Sequence, residues 1–205
     1  MVQLGGMYRG NGARVFPIII ILIVVAIAIA ALVSVGRSIF GGGDTADQPI
    51  DVSRQALLST DVNHSVRMTV RGPLVADESF RSYRVVISPS DRTLSTYSGY
   101  LEQPIDTKQL GNNVKSYDEF VHALEKANMV EGDAFQGEAD DTRGICAKGN
   151  LYEFEVLSGG STVKRLWTST CRGSAGSLRA NANQLQDLFL KQIPDNKDIL
   201  KKIDL

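Results

Sequence analysis

Hydrophobic side chains follow three rhythms along this chain. From Phe16 to Val35 they run continuously, with Ser34 the only polar residue; beyond Val62 they alternate with polar positions or recur every three to four residues. The 22 positions between Arg14 and Arg37 carry no charge, and as a helix they reach about 33 Å, against a hydrocarbon core of roughly 30 Å. The run therefore reads as a transmembrane helix over residues 16–36, with Phe16, Pro17, Ile18, Leu22, Ala26, Ala30, Ser34 and Val35 along its length. Pro17 opens it, where a missing N–H costs little. Ala28-Ile29-Ala30 imitates a signal cleavage site, but Leu32, Val33 and Val35 extend the apolar segment past it. A cleavable signal has an apolar region of only about 7 to 15 residues, so the run is expected to be kept as an anchor.

Basic residues near a span stay on the cytoplasmic side. Residues 1–15 hold Arg9, Arg14 and no acid, whereas Arg37 is followed by Asp44, Asp47 and Asp51. The expected topology is a short tail inside and the bulk of the chain outside, on a single-pass protein of the cytoplasmic membrane. Gly41 to Pro49 is small and polar, the heart of a tether over residues 37–62 in which Ser53 to Leu58 can add a short helix. A flexible chain spans about 5 to 6 Å times √n, so Gly41 to Pro49 reaches roughly 15 to 18 Å. Partners are accordingly expected among membrane proteins or envelope material next to the bilayer.

Residues 63–205 read as one α+β domain, an antiparallel meander and a C-terminal hairpin packed with helices. Val66, Met68 and Val70 alternate with Arg67, Thr69 and Arg71 up to Gly72-Pro73, a half-buried strand. Tyr83, Val85 and Ile87 form the inner face of a second strand, and Arg92 to Ser98 returns after Pro89-Ser90-Asp91. A short helix is expected near Asp106 to Leu110, stopped by Gly111. A longer one should run from Ser116 to Val130, opened by a Ser116-x-x-Glu119 capping box, with Tyr117, Phe120, Val121, Leu124 and Ala127 on one face. Ile145 to Leu157 and Thr162 to Cys171 read as a hairpin around Ser158-Gly159-Gly160-Ser161. A last helix from Ser177 points Leu178, Ala182, Leu185, Leu188 and Phe189 inward and stops at Pro194, with a further turn around Ile199 to Ile203.

The chain has two cysteines, and the hairpin register relates them. A two-residue loop places Cys146 opposite Cys171; a four-residue loop offsets them by one two-residue step. Both put the pair on one face beside Phe154 and Trp167, and both give Lys164 a carboxylate, Glu153 or Glu155. A three-residue loop or a bulge would send the two cysteines to opposite faces. In an oxidising compartment a structural Cys146–Cys171 disulfide is expected over two buried thiols. The close spacing of a redox-active pair is absent.

Charge narrows the partners. Residues 1–40 hold three of the 22 basic residues and no acid, so the other 19 face 23 acids, a net of −4. Neither Arg67 and Arg71 nor Lys201 and Lys202 amounts to a clustered basic surface, which argues against nucleic acid. His64 and His122 read as solvated, and Gly173-Ser174-Ala175-Gly176 lacks the spacing of a nucleophile elbow, with Ser177 the expected N-cap of the last helix. Asp133, Glu138, Asp140 and Asp141 concentrate carboxylates without the spacing of an EF-hand loop, so a solvated acidic loop is expected over a cation site. Too few histidines accompany the cysteines for a metal centre, and no residue calls for a cofactor. Ala26, Ala30 and Ser34 share a small-residue face that lets spans pack, a route to self-association in the membrane.

The stretches Ser65–Pro73, Asp140–Ala147 and Leu166–Cys171 resemble those of single-span, membrane-anchored proteins of Saccharibacteria, small host-attached bacteria of a candidate phylum. The resemblance covers nearly the whole chain, anchor included. It implies a bacterial cell envelope and a surface role, and it transfers no functional residue because no activity comes with the family. The expectation is a non-catalytic binding or structural module at the outer face of the membrane; the alternative is an envelope enzyme, a hydrolase of wall or surface material. The first predicts an exposed apolar or aromatic patch, the second a deep pocket with convergent polar groups.

Overall fold

The computed structural model describes residues 51–203 and 205; the apolar run, its flanks and all of residues 1–50 lie outside the described part. The compact unit begins at Asp51. Among the described residues, no helix is long and apolar enough to cross a membrane. The unit is α+β: helix α1 (Val52–Leu58), strands β1 (His64–Arg71), β2 (Arg81–Ile87), β3 (Asp91–Ser98) and β4 (Gln103–Gly111), helix α2 (Val114–Lys126), strands β5 (Leu151–Ser158) and β6 (Ser161–Ser169), then helices α3 (Ala182–Lys191) and α4 (Asn196–Leu200).

One antiparallel sheet runs in the order β4-β3-β2-β1-β5-β6. The meander β1–β4 and the hairpin β5–β6 meet at β1, which pairs with β2 from Val66↔Ile87 to Arg71↔Ser82 and with β5 from His64↔Ser158 to Arg71↔Leu151. Alternation decides the faces. Val66, Met68, Val70, Tyr83, Val85, Ile87, Leu94, Tyr152, Phe154, Val156 and Leu166 are buried in one core with Leu57, Tyr117, Phe120, Val121, Leu124, Leu185, Phe189 and Ile199 from the helices. Each such side chain contributes roughly 1.5 to 3 kcal/mol by leaving water. Phe120 and Phe189 meet edge-on at 5.3 Å, pinning α2 to α3.

Several elements differ from the sequence reading. Asp106 to Leu110 is strand rather than helix. Asp106 and Lys108 lie on the helix face at the sheet's margin, where Lys202 Nζ donates to Asp106 at 2.6 Å and Lys108 Nζ to the Pro194 carbonyl at 2.5 Å. Polar residues stand on both faces there, so no two-residue hydrophobic rhythm betrays the strand. Helix α2 starts earlier than the proposed capping box: Asn113 Oδ1 accepts the Ser116 N–H at 2.9 Å, and Glu119 instead pairs with Lys115 at 2.8 Å. Helix α3 starts after its Asn181 cap, while Ser177 sits further back and its Oγ accepts the Trp167 N–H at 3.1 Å.

The two sheet margins are finished differently. Along β6, Ser177 and Leu178 donate their N–H groups to the Trp167 carbonyl at 2.9 and 3.0 Å, and Thr168 Oγ1 donates to the Ala175 carbonyl at 2.8 Å. Along β4, Pro104 and a register shift at Ile105 interrupt an otherwise open strand.

Candidate docking surface

Both sets of strand ends carry loops, and they differ in length. At one end β2 turns into β3 through Ser88-Pro89-Ser90 and β5 into β6 through Gly159-Gly160, whose φ values of 57° and 82° suit a tight hairpin turn. At the other end four longer segments gather: residues 72–80 between β1 and β2, 99–102 between β3 and β4, and the stretches flanking the hairpin at 143–150 and 170–176. We call this end the crown.

The crown is knitted loop to loop. Cys146 and Cys171 are disulfide-bonded, with Cα atoms 5.2 Å apart. The Leu74 N–H donates to the Ala147 carbonyl at 3.0 Å, joining the β1–β2 loop to the disulfide loop. Tyr100 Oη donates to the Val75 carbonyl at 2.7 Å and accepts the Val75 N–H at 3.2 Å, while the Tyr100 N–H donates to Asp77 Oδ1 at 2.7 Å. The Tyr100 ring stacks on buried Phe80 at 4.1 Å. Held this way, the crown displays Leu101 with 84% of its surface exposed, Val75 with 43%, Tyr100 with 40% and Leu74 with 38%. Asp77, Glu78, Lys148 and Arg172 are exposed around them, and none of the four takes part in an ion pair among the described residues.

The disulfide forms by a route the register argument did not contain. Ser158 opposes Ser161, but a bulge at Val163 shifts the ladder so that Val156 faces Lys164 and Phe154 faces Leu166. Phe154 points into the core, whereas Trp167, opposite Glu153, belongs to the other face and meets Phe135 edge-on at 5.9 Å. Strand β5 begins only at Leu151 and β6 ends at Ser169, so both cysteines lie beyond the ladder, where facing rules do not hold. Cys146 adopts φ 60°, and this left-handed turn brings the loop back toward Cys171. Lys164 meets neither glutamate; its Nζ donates to the Gly132 carbonyl at 3.1 Å.

The face away from the helices carries ionic rows. Arg67 grips Glu155 with Nε–Oε2 2.5 Å and Nη2–Oε1 2.8 Å, and the Glu155 side chain is 7% exposed. That bond raises the Arg67 pKa above its ordinary value against the cost of burial. Arg165 joins Asp140 at 2.6 Å and Glu153 at 3.2 Å, which fastens the acidic loop over Trp167. Within that loop Asp133 pairs with Arg179, and the Arg143 guanidinium holds the Asp141 carboxyl down to about 2. Asp133, Asp140 and Asp141 of that loop are therefore each paired with an arginine, and there is no grouping of three or more metal-type ligands among the described residues.

The histidines stand apart. His122 is on the exposed side of α2, its Nδ1 2.8 Å from the Asp118 carbonyl. His64 opens β1 in a cleft of about 320 Å³ with Gln55, Asp61, Ser158 and Val163, its Nδ1 3.1 Å from Ser59 Oγ. A serine and a histidine in contact invite a hydrolytic reading, but Ser59 caps the C-terminal end of α1. Backbone carbonyls gather at such an end, the wrong pole for an oxyanion. Lys201 and Lys202 pair with Asp198 and Asp106. The residues missed in sequence are Leu74, Val75, Tyr100 and Leu101; their one signal is an apolar pair, Tyr100-Leu101, inside a turn opened by Gly99. No protein-family model matches the chain, and no curated protein matches it.

Proposed function

We propose that this chain is a membrane-anchored extracytoplasmic binding module of a bacterial cell envelope, non-catalytic, with the crown as its contact surface. The observation that carries this reading is the crown itself, four exposed apolar side chains on loops fixed by a disulfide and by Tyr100. Exposed apolar groups on a preorganised frame lose little entropy on binding, which is the economy of a docking site. The uninterrupted apolar run Phe16 to Val35 supports the anchor, and the disulfide supports an oxidising compartment. The likeness to single-span Saccharibacteria proteins agrees with both. The bilayer and an adjacent envelope or membrane protein are the partners of this reading, and the net acidity of the outer part argues against nucleic acid.

Two measurements test it. Protease added to intact cells with the wall opened should remove the chain beyond about residue 45 and leave the N-terminal tail; protection of the large domain overturns the topology. A photo-crosslinking residue at position 101 should capture a protein, and the same residue at position 197, away from the crown, should not. The hydrolase reading keeps one supporting observation, the Ser59–His64 contact. Turnover of wall material abolished by Ser59→Ala would favour it over the module.

A further inference from the structure

A cleft opens at the flank of the crown, where the β1–β2 loop meets the turn at residues 201–203. It holds about 330 Å³ between Pro73 and Val75 of that loop, Arg81 at the start of β2, and Lys202, Ile203 and Leu205. Four of these side chains are apolar, and the two charged ones are both cationic. Asp77 and Glu78 neighbour the cleft in sequence but do not line it.

The two cations differ. Lys202 is occupied, its Nζ donating to Asp106 at 2.6 Å. Arg81 is half-buried and fixed by neutral acceptors: its Nη1 donates to the Glu78 and Phe80 carbonyls, each at 2.8 Å, and to Ser98 Oγ at 3.0 Å. Among the described residues Arg81 enters no ion pair, and its Nε and Nη2 have no acceptor. A guanidinium held in place with its charge unanswered and donors to spare is suited to receive an anion. Its planar fork matches the two oxygens of a carboxylate, and a single open positive charge balances one negative charge rather than the two of a phosphate monoester. Apolar side chains already pack beside it: Leu205 lies over Gly72, where a Cβ would overlap it.

Resting on the reading of the crown as the contact surface, we propose that this cleft receives the C-terminal end of a partner's chain. The terminal carboxylate sits on Arg81, and the apolar side chain of the last residue lies against Pro73 and Val75. The volume is at the small end of ligand clefts, roughly 300 to 1,000 Å³, which is room for one or two residues of peptide and not for an acyl chain. Capture of a terminal carboxylate also gives the contact a direction, since a chain has one such end. One ion pair in an open cleft makes the isolated peptide a weak ligand, with a Kd of roughly 0.1 to 1 mM.

The probe is the tripeptide acetyl-Gly-Ala-Leu, as free acid and as C-terminal amide. Its binding to the full chain in non-ionic detergent micelles is followed by ligand-observed NMR, with empty micelles as the blank. The acid should bind at least about tenfold more tightly than the amide. Arg81→Gln should erase that preference while keeping the near-ultraviolet circular dichroism of the parent, and Arg81→Lys should retain part of it. Val75→Ser should weaken acid and amide alike. Acid and amide bound equally, or neither bound, overturns the proposal, and so does a preference that survives Arg81→Gln. Inorganic phosphate displacing the acid at lower concentration assigns the cleft to another anion and overturns it too. In cells with the wall opened, excess tripeptide acid should suppress capture of a protein from position 101. Capture that persists leaves the crown as a contact surface and overturns the terminal carboxylate as what it receives. Peptide binding without any capture from position 101 upholds the cleft and overturns the crown.

Discussion

The two ends of the sheet connect the same strands by opposite means. At the turn end, Ser88 Oγ accepts the N–H groups of Ser90 and Asp91, Asn112 closes on the Ser88 carbonyl, and Gly159-Gly160 completes a hairpin with nothing to spare. At the crown, loops too long to be fixed by turn chemistry are fixed by cross-links. Short turns stabilise a fold and present little; long loops present side chains but need bonds of their own to hold still. The disulfide and Tyr100 supply those bonds where Leu101 and Val75 are displayed.

The comparison breaks most readily at the disulfide. Closing a loop of the 25-residue separation between Cys146 and Cys171 is worth about 3.5 kcal/mol in the chain-entropy account. Cys171→Ser should lower unfolding stability by that order in urea titration, and hydrogen exchange should quicken in the crown more than at the turn end. A chain as stable as the parent would make the bond incidental. Next comes Gly176→Ala. Gly176 has φ 76°, and a Cβ there would overlap the Trp167 carbonyl oxygen, the acceptor of the Ser177 and Leu178 N–H groups. Strain and overpacking together should cost about 3 kcal/mol in the same titration.

Both ends hang on one core, which should fail as a unit in alkali. Burial pushes the Tyr83 hydroxyl up to about 12, against the opposing bond from Gln186. The unfolded phenol ionises near 10, so this contribution is intact below pH 10 and is lost as pH rises toward 12, about 2 to 3 kcal/mol in all. Phenolate absorbance should therefore rise together with loss of circular dichroism. At the turn end Gly160→Ala meets open space and only the φ penalty, so a loss of about 1 kcal/mol is expected in a thermal melt. Smallest of all is Leu101→Ser, within about 0.5 kcal/mol of the parent because the side chain is already in water. If it instead destabilises the fold, the crown is structure rather than surface.

Strands β1 to β3 and the inner faces of α2 and α3 were legible because a buried element must repeat its hydrophobic positions at its own period. Strand β4 was not, because Asp106 and Lys108 find partners in Lys202 and Pro194 rather than in the core. The cysteines were correctly joined for a reason that fails. Register arguments end where the ladder ends, and the left-handed φ of Cys146, carried by no glycine, leaves no trace in composition. The crown escaped notice for a related cause. Apolar residues read as core by default, and only contacts far apart in sequence, Leu74 to Ala147 and Val75 to Tyr100, reveal which of them stay outside.

The β4 margin governs how copies of this chain behave when crowded. An uncovered strand ordinarily recruits another, and each addition exposes a fresh strand, so growth has no natural end. Pro104 offers no N–H, and the extra residue at Ile105 throws the backbone out of step. Straightening that margin, by replacing Pro104 and deleting Ile105, would turn a finite particle into a seed for fibres, with thioflavin binding and light scattering as the readout.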